Sequence, residues 1–95
     1  MNNKQRAYLS SLASDMNAIL QIGKNSLTPE CIEAVNEALN ARELIKISVL
    51  KNCDDDTRSI AEVISERTHS QIVRVIGHKI ILYKAAKNPK IKLPE

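Results

Sequence analysis

The stretch QIGKNSLTPE, residues 21–30, carries a change from strand to helix that decides the fold. The apolar run over residues 18–22 is too short for a helix and stops at Gly23, which favours a buried strand. Thr28 is a good N-cap, and Pro29 suits the first helical position because its missing N–H is not needed there. The stretch therefore predicts a strand, a loop and a helix in immediate succession.

The spacing of apolar residues predicts the elements on both sides of this stretch. It predicts α-β-α-β-α-β-β order in one α/β domain spanning residues 1–95. We expect strands over residues 18–22, 44–50, 71–76 and 79–84, and helices over residues 4–16, from 29 to about 42, and from the acidic run 54–56 to about 67. The last two strands are joined by Gly77-His78, a pair suited to a type II′ hairpin. Both strand-helix-strand crossovers should be right-handed and make parallel neighbours, which gives a four-stranded mixed sheet.

The predicted core follows from the apolar faces of these elements. With 43% hydrophobic residues, 95 residues are enough for a single small core. Tyr8 is expected to pack in the core and Tyr83 to complete the hairpin. The positions expected to be largely buried are Ile32, Val35, Leu39, Ile47, Val49, Ile60, Val63 and Ile64.

Catalysis and cofactor binding are disfavoured by the residue types present. Asp54, Asp55 and Asp56 could ligate a metal, but adjacent acids at a helix start more often cap it. His69 and His78 have no partner nearby in sequence, and no phosphate-loop, nucleophile-elbow or dinucleotide glycine pattern occurs. We expect no enzyme activity, no cofactor and no metal.

The two cysteines and the chain's hydropathy bear on compartment. Cys31 and Cys53 lack metal-ligand spacing and are interpreted as reduced, packed thiols. No apolar run reaches the roughly 20 residues of a membrane span, and the first residues lack a signal-peptide apolar region. We expect a cytoplasmic monomer that does not contact a membrane.

Positive charge is concentrated at the C-terminal end. The chain has 14 Lys and Arg against 11 Asp and Glu, yet residues 77–95 contain five basic residues and one acidic residue. Such an excess fits an anionic partner and also fits an ordinary soluble surface. Without Phe or Trp, the sheet cannot offer the paired aromatics on which an RRM stacks bases.

The loop Gly23-Lys24-Asn25-Ser26 allows two interpretations. It can aim backbone N–H groups and the Lys24 charge at a phosphate, with Gly23 permitting close approach. Alternatively, Gly23 only permits a turn and the other residues are ordinary loop residues.

Five separated segments carry a family resemblance: KQRAYLSSLA, QIGKNSLTPE, ALNARELIKISVL, QIVRVIGHKIILYK and the terminal KIKLP. In this order and spacing they closely resemble the stand-alone bacterial CRM-domain proteins of the YhbY type. The resemblance implies a fold like the C-terminal domain of translation initiation factor three with an added N-terminal helix. It also implies RNA binding and association with precursors of the large ribosomal subunit.

The resemblance further implies that a GxxG loop, similar to that of KH domains, clamps the RNA backbone. Here its positions are Gly23, Lys24, Asn25 and Ser26. Ser26 replaces the second glycine, and a positive φ at serine would be unfavourable, although its N–H and hydroxyl could contact phosphate.

Two functional hypotheses remain. The first is an RNA-binding assembly factor whose partner is large-subunit rRNA, contacted by the loop with Lys4, Arg6 and Lys84, and further by Lys87, Lys90 and Lys92 on a mobile basic tail over residues 85–95. The second is an adaptor that binds a ribosomal protein or another factor through the acidic helix starting at Asp54 or through the sheet surface.

Overall fold

The computed structural model describes residues 1–53 and 55–94. It confirms the predicted element order and the four-stranded mixed sheet, with strand ends within two residues of those predicted. Asp54 lies outside the described residues, so its predicted part in the acidic cap is not addressed. The elements are α1 (Asn3–Ala13), β1 (Leu20–Ile22), α2 (Pro29–Arg42), β2 (Leu44–Val49), α3 (Thr57–Thr68), β3 (Gln71–Ile76) and β4 (Lys79–Tyr83).

The helix starts form as their sequences dictate. The Thr28 hydroxyl accepts a hydrogen bond from the Cys31 N–H at 3.1 Å, and Pro29 begins α2. Asp56 caps α3 by accepting from the Ser59 N–H at 3.2 Å. In the hairpin between β3 and β4, Gly77 has φ 55°, the sign that the predicted turn requires at this position. Local signals therefore set the element boundaries.

The strand order is β1-β2-β4-β3, which corrects one expectation. The crossover through α2 makes β1 and β2 parallel neighbours, but β4 lies between β2 and β3 and pairs antiparallel with both. The reason lies in the two sequences: KIILY is buried at four of its five positions, whereas QIVRVI is largely exposed or half-buried. The more apolar strand takes the central place, and β3 becomes an edge.

The sheet separates two hydrophobic clusters. On one face α1 packs through Leu9 and Ala13, which are buried with Val73, Ile81 and Tyr83. The opposite face carries α2 and α3, and its larger core contains Val35, Leu39, Ile45, Ile47, Val49, Ile60, Ile64, Ile80 and Leu82. Within the described residues the molecule thus has three layers, and α1 is the one helix on its side of the sheet.

Two predictions about burial are wrong and a third is only partly right. Val63 is 40% exposed, because α3 buries the stripe formed by Ile60, Ala61, Ile64 and Thr68 and leaves Val63 at its margin. Tyr8 is also 40% exposed, since the buried positions of α1 are Leu9 and Ala13. Ile32 is half-buried at the edge of the larger core.

The basic tail is anchored, which corrects the expectation that it is mobile. Ile91 and Leu93 pack against the cluster beneath α1, and the Gln5 side-chain amide donates to the Pro94 carbonyl at 3.1 Å. The backbone N–H of Lys90 donates to Glu43 Oε1 at 2.6 Å. The C-terminal segment therefore belongs to the folded domain.

Glu43 joins α2 to β2 in an unusual conformation. It has φ 65° and ψ −44°, and its side chain is 2% exposed. Its carbonyl accepts from the Lys84 N–H at 2.8 Å, while its Oε2 is buried with no hydrogen-bond partner among residues 1–53 and 55–94. One residue thus connects a helix end, a strand end and the tail.

Within the same ranges, no helix has the length and apolar character needed to cross a membrane.

Candidate nucleic-acid interface

The loop after β1 is a closed β-turn. The Ser26 N–H donates to the Gly23 carbonyl at 2.9 Å, and Lys24 and Asn25 are the exposed central residues. A turn of this kind uses the carbonyl of its first residue and the N–H of its fourth, and leaves the central N–H groups free of its own hydrogen bond. The Lys24 and Asn25 N–H groups are therefore the backbone donors that this turn can offer to an anion.

Ser26 adopts the conformation that glycine would favour. Its φ is 52°, in the left-handed region that L-residues other than Asn and Asp rarely occupy. Its N–H already donates within the turn, so it is not a free donor for a phosphate. Only the hydroxyl of Ser26 remains for such a contact.

Gly23 is required by neither its own conformation nor the protein interior. Its φ is not positive, and a Cβ built on it would meet Asn52 Oδ1 and Leu50 Cδ1 at 3.5 Å, an ordinary contact distance. A side chain here would add bulk on the loop without straining the fold. A glycine at this position leaves the main chain open to close approach from outside the fold.

A second turn lies beside the first. The Cys53 N–H donates to the Leu50 carbonyl at 3.1 Å, so residues 50–53 form a turn with Lys51 and Asn52 at its exposed centre. Because β1 and β2 are parallel neighbours, their carboxyl ends lie side by side at the same end of the sheet. We call residues 23–26 and 50–53 the twin turns, since each presents Lys-Asn.

Lys51 was not among the site residues predicted from the sequence. The signal that could have found it is the repeated Lys-Asn pair, GKNS after the first predicted strand and LKNC after the second. Combined with the predicted parallel pairing, that repetition places two lysines at one edge. The predicted loop thus has a neighbour of the same composition.

Lys84 lies at the opposite end of the sheet. Tyr83 pairs with Leu44 at the start of β2, whereas Ile22 pairs with Val49 at its end. At about 3.3 Å per residue, the length of β2 separates the two ends by roughly 16 Å. Lys84 is half-buried and its Nζ donates to Asn36 Oδ1 at 3.4 Å. It does not share a site with Lys24.

Lys4 and Arg6 are exposed on α1, across the sheet from α2 and α3. Arg6 lines a groove at the edge strand β3 with Arg58 and Arg74. The structure therefore divides the predicted basic residues among three places, and only the loop positions Gly23 to Ser26 stay together.

Neither the cysteines nor the acidic residues make a second candidate site. Cys31 and Cys53 are free and half-buried, and burial raises the pKa of the Cys31 thiol above its ordinary value of 9.0. In the part of the chain that the structure describes, no three His, Cys, Asp or Glu side chains come together as a metal site.

The three helices, the mixed sheet and the turn after β1 define a small α/β domain of the CRM type, and the family model of the CRS1 / YhbY (CRM) domain matches residues 1–84. The chain belongs to this family.

Its relatives extend over the whole chain. It is 43% identical over 95 residues to "Probable RNA-binding protein YqeI" of Bacillus subtilis, with 99% of both chains covered. It is 33% identical to a Haemophilus influenzae protein named "RNA-binding protein", with 99% of this chain and 95% of the relative covered. The solution structure of hypothetical protein SAV1595 from Staphylococcus aureus matches with a TM-score of 0.83 and 42% identity, covering 99% of both chains.

Proposed function

We propose that this protein binds RNA by holding its sugar–phosphate backbone at the twin turns. The observation that carries the proposal is the pairing of two Lys-Asn turns at the carboxyl ends of adjacent parallel strands. Each turn offers central backbone N–H groups and one exposed lysine, which together suit a chain of phosphates. The names of the relatives in Bacillus subtilis and Haemophilus influenzae support the same function.

Gly23 is not needed for a strained conformation of the loop, and this supports contact with the sugar–phosphate backbone of RNA. A Cβ at this position would meet its neighbours at 3.5 Å without conflict, so the fold itself does not demand a glycine there and a close contact with a ligand is consistent with one. Phosphate backbones approach protein main chain closely where no side chain intervenes, as in the KH loop. The expected contact is therefore independent of base identity, and positioning on particular RNAs must come from RNA shape and further contacts.

We propose, further, that the RNA is large-subunit rRNA in precursor particles and that the protein acts in ribosome assembly in the cytoplasm, without catalysing a reaction. The resemblance to the stand-alone bacterial members of the family supports this part. Crosslinking the protein to RNA in cells and sequencing the attached fragments tests it. Enrichment of precursor large-subunit rRNA is expected, and enrichment of unrelated messages would contradict it.

An adaptor function is the second candidate, because an apolar groove lies between α2 and α3. Leu27, Ile32 and Val63 line it with Arg67, and its volume is about 450 Å³. Partly exposed apolar side chains of this kind suit contact with a protein. An adaptor would lose binding when this groove is altered and would be insensitive to Lys24.

Charge reversals distinguish the two functions. We expect Lys24→Glu and Lys51→Glu each to weaken binding to a structured large-subunit rRNA fragment and to lower the salt slope by about one unit. Lys92→Glu is the matched control, since it makes the same charge change on an exposed residue of the tail. Affinity is measured at two salt concentrations after circular dichroism confirms each fold. Equal losses in all three variants would refute the clamp, because diffuse attraction treats them alike.

A further inference from the structure

Three arginines from three elements meet at the exposed edge of the sheet. The groove there has a volume of about 340 Å³ and is lined by Arg6 of α1, Arg58 of α3 and Arg74 of β3, with Ile72, Val73 and Val75. All three arginines are exposed, whereas Val73 is buried and the other two strand residues are half-buried. We call this feature the arginine groove. It lies between the two helical layers, with the edge strand as its floor.

A β-bulge in β3 brings Arg74 to this position. The register passes from Ile72 opposite Leu82 to Arg74 opposite Ile81, so Val73 is the extra residue. Ile81 belongs to the cluster beneath α1, and Arg74 therefore lies on the α1 face, where its Nη1 donates to Ser10 Oγ at 3.4 Å. Strict alternation would have placed Arg74 on the opposite face, with Ile72. The bulge thus gathers Arg74 toward the α1 residue Arg6.

The chemistry of the groove indicates an anionic ligand with several charged groups. A guanidinium keeps its charge throughout the physiological pH range and presents paired N–H donors that match phosphate oxygens. Three of them on different elements cannot all serve one small anion as well as they serve successive phosphates along a chain. We propose that the arginine groove is a second phosphate-binding site for the RNA that the twin turns hold, an inference that rests on the RNA-binding function proposed above.

The edge strand argues for RNA over an acidic peptide. An edge can accept an added strand only where its N–H and C=O groups form a regular row, and the bulge at Val73 interrupts that row. The positive side chain of Arg74 lies at the interruption itself. A sugar–phosphate backbone needs no such ladder, so it fits the groove where a peptide strand does not.

The spacing of the two sites predicts a dependence on RNA length. In the order β1-β2-β4-β3, three strand spacings separate β1 from β3, or about 14 Å at about 4.8 Å each. A dinucleotide is shorter than this separation and occupies one site at a time. A longer hairpin can contact both sites, and only the hairpin should show the added affinity of two linked contacts.

The test combines NMR with a pair of double variants. The side-chain Nε–Hε signals of Arg6, Arg58 and Arg74 are followed while an rRNA hairpin is added to the unaltered protein. Arg58→Gln/Arg74→Gln is compared with Arg42→Gln/Arg67→Gln, which removes the same charge from exposed positions outside the groove. We expect all three signals to shift and the first double variant to lower the salt slope by about two units more than the control. Its affinity for the dinucleotide should change much less than its affinity for the hairpin.

The outcomes separate this inference from the proposed function. If the hairpin shifts the signals of Lys24 and Lys51 but leaves the three arginines unchanged, RNA binding stands and the second site is refuted. If no signal shifts with any RNA, both proposals fail. If an acidic peptide shifts the arginine signals and the hairpin does not, the groove binds protein and the inference is overturned.

Discussion

Because Ser26 has a positive φ, the effect of replacing it on the stability of the protein can be predicted. We expect Ser26→Gly to leave the stability unchanged or raise it. A left-handed conformation costs an L-residue about 1–2 kcal/mol, and glycine avoids that term. Glycine in turn gives the unfolded chain extra entropy worth about 0.4–1 kcal/mol. The difference lies between about 0 and 1.6 kcal/mol in favour of the variant.

Asn25→Gly is the matched control in the same turn. Asn25 is exposed like its neighbour Lys24 but does not have a positive φ, so only the entropy term applies and the variant should lose about 0.4–1 kcal/mol. The entropy terms cancel between the two variants, which leaves the strain at Ser26 as their separation, about 1–2 kcal/mol. In a domain of this size that corresponds to a melting-temperature gap of roughly 4–16 °C. Thermal and urea unfolding followed by circular dichroism measure it, and equal losses in both variants would refute the assigned strain.

Three further expectations follow from burial and from the neighbours of single residues. Val35→Ala should lower the free energy of unfolding by about 1–3 kcal/mol because Val35 is fully buried. Val63→Ala, at a 40% exposed site, should change the free energy of unfolding by no more than about 0.5 kcal/mol. Similar urea midpoints for the two variants would contradict the packing. Burial, together with the Glu43 carboxylate, raises the pKa of Tyr83 above its ordinary value of 10.0, so the folded state holds this proton more tightly than the unfolded chain. Stability should therefore fall as pH rises through about 10, and Tyr83→Phe should lessen that fall in unfolding measured across alkaline pH; an identical alkaline profile would contradict it. Gly23→Ala should keep the parent's melting temperature to within a few degrees yet weaken RNA binding, and unchanged affinity by fluorescence anisotropy would remove the argument from close approach.

The features predicted correctly are those that neighbouring residues determine. Thr28 and Pro29 mark the start of α2 because capping needs only the first turn, and Asp56 caps α3 for the same reason. Gly77 marks the hairpin because glycine adopts a positive φ without strain, whatever residues surround it. The loop between β1 and α2 was predicted from the same kind of local signal.

The features that were missed depend on which segments meet in space. The place of β4 between β2 and β3 reflects competition between two strands for the central position, which periodicity within either strand does not decide. The bulge at Val73 is a register shift between strands, and without it Arg74 could not be assigned to the face of α1. Lys51 was missed because its place beside Lys24 follows from the pairing of β1 with β2 and not from the residues next to it in the sequence.

Glu43 bears on how short a working version of this protein can be. The family match ends at residue 84, yet the buried carboxylate of Glu43 receives its hydrogen bond from the N–H of Lys90. A fragment that stops at residue 84 spans every helix and strand but lacks the Lys90 N–H that donates to Glu43, and it uncovers the apolar surface beneath Ile91 and Leu93. Losing a hydrogen bond to a buried side chain together with buried apolar contact destabilises a small domain. The residues after 84 therefore hold the end of the chain against the domain, and a fragment cut where the family match ends would lose these contacts.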